Sequence, residues 1–359
     1  MDRGYLFRVA IVSLNTLVLL TSTSALGQFA PNGGQTIDLN RQLDQQLDIP
    51  LNNGTQGEAR NQADLLLRLG GQAQRAGYLE KAIDNWLQAL NIYQEIGELE
   101  GLGTTYDYLG VTYAKLGRYQ QAEDALRRRV GVARTREDFQ GQIYGLNNLG
   151  TVLLQAGNFN AAQQTFTEAL TIARSVKNQA GEGLSLSNIG LAAAAQGNYF
   201  EAIKRYQAAL SLRSLSGDPQ GEANTRNNLG DAQRGAKLYT EALTSYGSAL
   251  PAAETGRDIR NQFRALRGMA QSYIGAGRYP LALQTLSQHM ALAQKQNDRN
   301  EELLSLRLSA QVYRAVGNFS DARNFYEKAI ALAGALGDTQ EEALLRNDLA
   351  QIIYKRKVE

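Results

Sequence analysis

Apolar side chains recur along this chain at intervals of three and four residues, and the whole pattern repeats every forty residues. Between Gly141 and Gln155 the apolar positions fall on one stripe of a helix, and so do those between Phe159 and Ala173. Ala156-Gly157-Asn158 separates the two stripes, and glycine after a periodic run commonly ends a helix because it adopts left-handed backbone at little cost. Each unit is therefore predicted to be a hairpin with a first helix, a tight turn and a second helix.

Small residues keep the same phase in successive units. A Leu-Gly pair or a close relative begins at Leu69, Leu109, Leu149, Ile189 and Leu229, and continues in degraded form at Met269, Ser309 and Leu349. An alanine recurs in the second helix at Ala82, Ala122, Ala162, Ala202, Ala242, Ala282 and Ala322. A fixed period of this length is typical of a repeat array. We expect the glycines to lie where the two helices of a hairpin cross, because a larger residue would overpack there.

The repeat predicts seven hairpins and one further helix. The hairpins begin near residues 59, 99, 139, 179, 219, 259 and 299. The last helix is predicted over 339–356, and residues 339–359 are interpreted as a capping helix with a basic tail. An Asp or Asn precedes most first helices, where its side chain would cap free amides. These residues are Asp138, Asn178, Asp218, Asp258, Asp298 and Asp338.

The residues between 146 and 169 read Leu-x2-Leu-Gly-x2-Leu and then Ala-x3-Phe-x2-Ala. This motif resembles the tetratricopeptide repeat, although that repeat has a period of about 34 residues and lacks the longer helices predicted here. The long form is similar to the arrays of the kinesin light chain and of Pins-type polarity adaptors, over roughly residues 59–356. The resemblance implies an all-α, right-handed α-solenoid with seven hairpins over 59–338. It also implies that the first helices line a concave groove that holds protein or peptide segments.

Polar residues stand just before the Leu-Gly pairs and about one turn away, where the resemblance implies contact with a partner. Asparagine amides can pair with an extended backbone of any sequence, and arginine can grip a carboxylate. The predicted partner-binding residues are Asn147, Asn148, Asn188, Asn227, Asn228, Asp231, Arg264 and Arg267. In the alternative interpretation, Asn147 and Asn227 bond between adjacent helices and only set their spacing.

The first 27 residues do not fit the repeat. A basic start, an apolar run over Val9–Leu20 and the ending Ala25-Leu26-Gly27 are typical of a secretory signal peptide that is cleaved after Gly27. An uncleaved membrane anchor is the alternative, although a run of about 12 apolar residues is too short to span a bilayer. Residues 28–58 are interpreted as a linker rich in Gln, Asn and Gly, with a short helix around Asp38–Leu47. We therefore expect an exported protein, periplasmic or secreted, without stable membrane insertion after cleavage.

The composition gives little sign of other chemistry. With 37 basic and 35 acidic residues, the chain lacks the basic excess of a nucleic-acid binder. It has no cysteine and a single histidine, so neither a metal site nor a nucleophile with its base is evident. His289 stands where other hairpins have alanine, and it is interpreted as a packing substitution. We expect no catalytic activity, no metal and no cofactor.

Two hairpins depart from the pattern. The second has Arg129 where alanine is expected. The fifth has Lys237 in the turn, and Gly247 and Pro251 inside its second helix. Because proline removes a helix hydrogen bond, this hairpin is predicted to be a soft joint between stiff blocks over 59–236 and 257–356, or else a plain local irregularity.

The functional prediction is a non-catalytic scaffold or assembly adaptor of the cell envelope, a monomer or weakly self-associating, that holds protein or peptide segments in its groove. The alternatives are a self-associating structural component of the envelope and, less favoured, a non-catalytic subunit of an enzyme complex.

Overall fold

The computed structural model describes the chain from residue 57 to residue 358, and its side chains to residue 352. Within this range every regular element is an α-helix. The chain divides into two compact units between Ser216 and Gly217. The predicted signal peptide and almost all of the predicted linker lie outside the described residues, so both stay predictions.

The described part of the first unit is a stack of four helical hairpins. Its helices are α1 (Gly57–Arg75), α2 (Leu79–Glu95), α3 (Leu99–Lys115), α4 (Tyr119–Thr135), α5 (Phe139–Gln155), α6 (Phe159–Ser175), α7 (Gln179–Ala195) and α8 (Tyr199–Ser216). Odd-numbered helices are the first helices of hairpins and even-numbered ones the second. A large apolar cluster runs through this unit, from Ala63 in α1 to Ala209 in α8.

The second unit is a stack of three hairpins and one further helix. Its helices are α9 (Pro219–Gly235), α10 (Tyr239–Thr255), α11 (Ile259–Gly275), α12 (Tyr279–Gln296), α13 (Arg299–Ala315), α14 (Phe319–Leu336) and α15 (Thr339–Val358). Two smaller apolar clusters hold its later hairpins together, one around Leu286 and one around Tyr326. The predicted all-α arrangement of seven hairpins and a last helix is thus confirmed for the described residues.

Glycine lies at the crossing of the two helices, as predicted. A Cβ atom on Gly110 would lie 2.6 Å from Leu126 Cγ, and one on Gly230 would lie 2.7 Å from Tyr246 Cε1. Real Cβ atoms do not approach other heavy atoms so closely, and close-packed interiors leave no room for the neighbour to shift. The glycine therefore sets how near the large side chain of the second helix comes to the first helix.

The predicted caps begin the first helices. Asp138 Oδ1 accepts a hydrogen bond of 2.8 Å from the Gly141 amide, and Asn178 Oδ1 accepts one of 2.9 Å from the Gly181 amide. The residue just before each cap is left-handed: it is glycine at Gly217 but a charged residue at Glu137 and Lys177. The cap and the left-handed residue together turn the chain from one hairpin into the next.

Arg129 is accommodated by glycines on neighbouring helices. Its Nε donates a hydrogen bond of 2.7 Å to Asp107 Oδ2 in the same hairpin, and a Cβ on Gly141 would lie 2.6 Å from its Nη2. A charged side chain can be held in this mostly buried position because a carboxylate compensates its charge.

Two details could not be predicted from the sequence. Helix α10 continues through Pro251, and the boundary between the compact units falls before the fifth hairpin rather than inside it. In α15, where the sequence places leucines at both Leu344 and Leu345, Leu345 is buried whereas Leu344 is 44% exposed. The sequence pattern of a helix with one packed neighbour leaves its rotation poorly determined, because few positions have to be apolar.

Candidate functional site

The eight predicted partner-binding residues lie on four first helices, two in each unit. Asn147, Asn148 and Asn188 belong to α5 and α7 of the first unit. The remaining five belong to α9 and α11 of the second unit: Asn227, Asn228, Asp231, Arg264 and Arg267. All five asparagines are at most 5% exposed, whereas Asp231, Arg264 and Arg267 are half-buried.

In the first unit the asparagines join neighbouring hairpins. Asn147 Nδ2 donates to Ser185 Oγ at 3.0 Å and to its own helix at Ile143 O, and Asn188 Nδ2 donates to Asn147 Oδ1 at 2.8 Å. Asn188 Oδ1 is buried without a hydrogen bond. These amides tie α5 to α7, as the alternative interpretation of Asn147 has it. Contact between a partner and Asn147, Asn148 or Asn188 stays a prediction.

In the second unit Asn227 forms an equivalent tie. Its Nδ2 donates to Asn261 Oδ1 at 3.0 Å and to the Asn261 carbonyl at 3.1 Å, so that α9 is joined to α11. Asn228 Nδ2 donates to Asn224 Oδ1 within α9, and Asn228 Oδ1 accepts from Arg264 Nη2. The last bond brings the asparagines of α9, which we call the amide row (Asn224, Asn227 and Asn228), into contact with a group of charged side chains.

We call this group the charged cluster and define it as Asp231, Arg234, Arg264, Arg267 and Glu301, which come from α9, α11 and α13. Arg264 Nη2 donates to Asp231 Oδ2 at 2.6 Å, and Arg234 Nη2 lies 3.5 Å from Asp231 Oδ1. Arg267 Nη1 lies 3.9 Å from Glu301 Oε1. The predicted Asp231, Arg264 and Arg267 are therefore brought together, with three cations facing two carboxylates.

The carboxylates of the charged cluster are held ionised. Burial opposes the charge of Asp231, but Arg264 and Arg234, with the hydroxyl of Tyr246 donating at 2.6 Å, hold the pKa of Asp231 below its usual value. Burial opposes the charge of Glu301 as well, and contact with His289 and the field of Arg267 hold the pKa of Glu301 below its usual value. Burial lowers the pKa of Arg267.

His289 borders the charged cluster from α12. It is fully buried, as the packing interpretation requires, and it also makes polar contacts: Nδ1 lies 2.7 Å from Ser305 Oγ, and Nε2 lies 3.4 Å from Glu301 Oε2. Ser305 Oγ donates to the Glu301 carbonyl at 2.9 Å, so Nδ1 is the donor to Ser305. His289 thus contacts the edge of the cluster through Ser305, while neither its Nε2 nor Glu301 Oε2 makes a hydrogen bond.

Sequence reasoning missed the partners of these residues. Ser185, Asn261, Tyr246 and Glu301 all contact predicted site residues, but none was singled out. A signal was present in the period, because Ser185 stands 38 residues after Asn147 and Asn261 stands 34 after Asn227. Polar side chains about one repeat apart on first helices are the ones that adjacent hairpins bring together.

The described residues show no other arrangement with evident chemistry. No three side chains of His, Cys, Asp or Glu within this part of the chain are grouped so that they could hold a metal ion. None of the helices over residues 57–358 has both the length and the apolar character needed to cross a bilayer.

Family models described as tetratricopeptide repeat match most of the chain. One matches residues 61–135, 181–255 and 261–335, and a second matches residues 143–176. No curated protein sequence matches the chain significantly.

Solved structures with the same fold share little sequence identity with this chain. A signal transduction ATPase with a tetratricopeptide repeat sensor from Pyrococcus horikoshii is 20% identical, with a TM-score of 0.60, over 86% of this chain and 47% of that chain. A Rap protein complexed with competence and sporulation factor is 13% identical, with a TM-score of 0.54, over 89% and 79%. BtubC from P. vanneervenii is 18% identical, with a TM-score of 0.55, over 61% and 92%. The chain spans about half the length of the first of these, and such identities establish the fold alone.

Proposed function

We propose that this chain, which belongs to the tetratricopeptide repeat family, is a non-catalytic scaffold that binds protein or peptide segments carrying carboxylates at the charged cluster of its second unit. The observation that carries the proposal is the convergence of Asp231, Arg234, Arg264, Arg267 and Glu301 from three successive first helices. The sequence analysis predicts that a partner contacts the first helices.

The charge balance of the cluster supports an acidic partner. The cluster contains three guanidinium groups and two carboxylates, which gives its five members a formal net charge of +1. Guanidinium groups bind carboxylates through paired, charge-assisted hydrogen bonds, and they do so more strongly where water is partly excluded. A carboxylate from a partner would be attracted by this positive balance.

The chemistry of the amide row supports a segment in extended conformation. Asn224 and Asn228 lie one turn apart on α9, and Asn228 contacts Arg264 of α11; an amide offers both a donor and an acceptor to a peptide backbone. One named relative, the Rap protein, is described in complex with competence and sporulation factor. That complex is consistent with this fold holding a bound factor.

The binding proposal is tested with a displayed library of random peptides selected on the full chain. We expect the selected peptides to be enriched in Asp and Glu. Arg264→Ala should weaken their binding about tenfold, as expected for the loss of a charge-assisted hydrogen bond. Arg267→Gln leaves the Asp231–Arg264 pair in place and should also weaken binding, measured at a temperature at which the variant is folded.

Arg323→Ala is the matched control, since Arg323 is an exposed arginine of the same unit whose ion pair is with Glu327 on its own helix. Peptides that bind the Arg264 and Arg267 variants as tightly as the unchanged chain would contradict the proposal. Selection of peptides without acidic residues would also contradict it.

The location of this activity is a separate proposal. The basic start, the short apolar run and Ala25-Leu26-Gly27 support export, with action in the cell envelope or outside the cell. Sequencing of the mature N-terminus should give a chain that begins near Gln28. A soluble protein recovered from the cytosol with Met1 intact would contradict it.

A further inference from the structure

The fifth hairpin contains a groove between its two helices, α9 and α10. The groove has a volume of about 500 Å³, which is within the range of ligand sites in proteins. The residues that line it are Pro219, Glu222 and Arg226 of α9, and Gly247, Ser248, Pro251, Ala252 and Thr255 of α10. Gly247 and Pro251, the irregularity in the sequence of α10, are thus part of one surface feature.

The groove lies where this hairpin lacks a pair of large apolar side chains. In the other six hairpins the counterpart of Arg226 is leucine or tyrosine, and the counterpart of Ala252 is isoleucine, valine or leucine. The pairs are Leu66 with Ile92, Tyr106 with Val132, Leu146 with Ile172, Leu186 with Leu212, Leu266 with Leu292 and Leu306 with Leu332. In the seventh hairpin both members belong to one apolar cluster. With arginine and alanine in their place, the fifth hairpin does not fill this space itself.

The α10 side of the groove combines small apolar groups with hydrogen-bond acceptors. A Cβ placed on Gly247 would meet no heavy atom within 4 Å beyond its own stretch of helix. Pro251 has no amide hydrogen, so the Gly247 carbonyl lacks its usual helical partner. The hydroxyls of Ser248 and Thr255 each donate to a carbonyl of α10 at 2.9 Å and keep lone pairs that can accept.

The α9 side presents a compensated ion pair. Arg226 Nε and Nη2 donate to Glu222 Oε1 at 2.8 and 2.6 Å. Both bonds end on one oxygen, which leaves Glu222 Oε2 and Arg226 Nη1 to bind a ligand. Because the two charges compensate each other, a ligand with a charge of its own would unbalance them. A neutral hydroxyl matches this side, since it can donate to Glu222 and accept from Arg226 at once.

We propose that the groove is a second binding site, which takes a tyrosine side chain of a partner protein. The aromatic ring supplies the apolar bulk that a leucine or isoleucine supplies in the other hairpins, and it lies against Pro219, Pro251 and Ala252. The phenol hydroxyl lies between Glu222 and Arg226. Tyrosine suits a site of this kind because one end of its side chain is apolar and the other forms hydrogen bonds.

The groove is separate from the charged cluster. Glu222 and Asp231 are nine residues apart on α9, which is about two and a half helical turns, so they lie on opposite faces of the helix. Binding of acidic segments at the cluster and binding of tyrosine at the groove can therefore be lost independently of each other.

Titration of p-cresol and toluene into the full chain, followed by amide NMR, tests the site. These molecules are the side chains of tyrosine and phenylalanine without the backbone. We expect p-cresol to shift the amides of 219–226 and 247–255, and to bind about fivefold more tightly than toluene because of its hydroxyl. Shifts confined to other helices, or equal affinity for the two molecules, would overturn the proposal.

Ala252→Leu fills the groove with the residue that three other hairpins have at this position. The variant should therefore fold, and its affinity for p-cresol should fall at least about tenfold because the space is occupied. Ala291→Leu is the matched control, since Ala291 is exposed on α12 and is the counterpart of Pro251 in the sixth hairpin. It should leave the affinity unchanged. An Ala252→Leu variant that binds p-cresol as tightly as the unchanged chain would contradict the proposal.

Two further measurements separate the role of the hydroxyl from that of the apolar surface. Arg226→Met should lower the affinity for p-cresol to about that for toluene and leave toluene binding unchanged, which a general loss of structure would not do. N-acetyl-tyrosine amide should bind at least as tightly as p-cresol, because Pro251 and Thr255 at the rim are exposed and leave room for a backbone. Weaker binding of this probe would overturn the assignment to a protein side chain and identify a free phenol as the ligand.

Discussion

The two units use the same hairpin but join successive first helices in different ways. In the first unit the ties are neutral: Gln74 to Thr112 at 3.0 Å, and Asn147 to Ser185 at 3.0 Å. In the second unit most of them are ion pairs. These are Arg264–Asp231 at 2.6 Å, Arg267–Glu301 at 3.9 Å, Arg307–Glu341 at 3.0 Å and Arg314–Asp348 at 3.3 Å.

The kind of tie between first helices correlates with the size of the apolar core in each unit. The first unit has a large apolar cluster that continues through its hairpins, whereas the apolar clusters of the second unit are smaller. A mostly buried ion pair repays its desolvation only while both members are present. One backbone pattern therefore accepts both neutral hydrogen bonds and ion pairs between its first helices. The stability of the second unit depends more on individual charged side chains and on their ionisation.

The largest effect is expected from Asp231→Ala. The change leaves Arg264 and Arg234 mostly buried without their shared carboxylate, so the free energy of unfolding of the second unit should fall by about 3–5 kcal/mol. Hydrogen exchange over α9 and α11 measures it directly. Arg323→Ala, on the exposed face of α14, should change it by less than about 0.5 kcal/mol. A loss as small as that for Asp231→Ala would show that the charged cluster is not a structural tie.

A smaller effect is expected from Asn147→Ala in the first unit. This change leaves the Asn188 amide and the Ser185 hydroxyl with fewer partners, and we expect a loss of about 1–3 kcal/mol. The only tryptophan of the chain, Trp86, is buried in this unit, so its fluorescence during denaturation reports the change. A loss larger than that of Asp231→Ala would reverse the comparison between neutral and ionic ties.

Acidification should destabilise the second unit more than the first, with a smaller difference than the substitutions produce. The pKa values of Asp231 and Glu301 are lowered in the folded chain, so their contribution is fully present above the usual carboxylate pKa and is lost as pH falls through the lowered values. The neutral ties of the first unit do not titrate. Exchange rates corrected for intrinsic pH dependence should therefore rise more over α9–α13 than over α5–α7 between neutral and acidic pH. Equal rises would contradict the assignment of ionic ties to the second unit.

The smallest effect is expected from Glu80→Ala. Glu80 accepts two hydrogen bonds from Arg118 in the first unit, at 2.6 and 3.0 Å, but both side chains are well exposed. Exposed pairs contribute about 0–1 kcal/mol, and salt screens them. Denaturation followed by Trp86 fluorescence should shift little, and not at all in high salt. A large shift would mean that exposed ion pairs also contribute substantially to the stability of the first unit.

The period alone was enough to predict the hairpins, their starts, the glycines at the helix crossings and the Asx caps, because each of these repeats a local requirement in most of the units. It did not predict that Glu137, Lys177 and Arg257 adopt left-handed backbone, since nothing in their side chains favours it. The surrounding hairpins impose that conformation. The division at Ser216 was missed for a similar reason, because Pro251 is the more visible irregularity but α10 accommodates it.

The row of site residues was predicted, but its role was not resolved by sequence. Whether Asn147 faces a partner or Ser185 depends on how far successive first helices are displaced, and this displacement arises from side-chain packing over the whole stack. The same holds for Arg264, whose contact with Asp231 requires α9 and α11 to pack with these two positions opposite each other. Sequence periodicity predicts which residues of adjacent hairpins occupy equivalent positions. It does not predict whether their side chains contact each other or face solvent.

Each tie between hairpins joins residues that are near one another along the chain. Asn188 and Asn147 are 41 residues apart, and Arg264 and Asp231 are 33 apart. Closing a loop of this length costs little conformational entropy, and low contact order is associated with rapid folding. A hairpin can therefore acquire its stabilising contacts as soon as the next one has been synthesised, without waiting for the end of the chain.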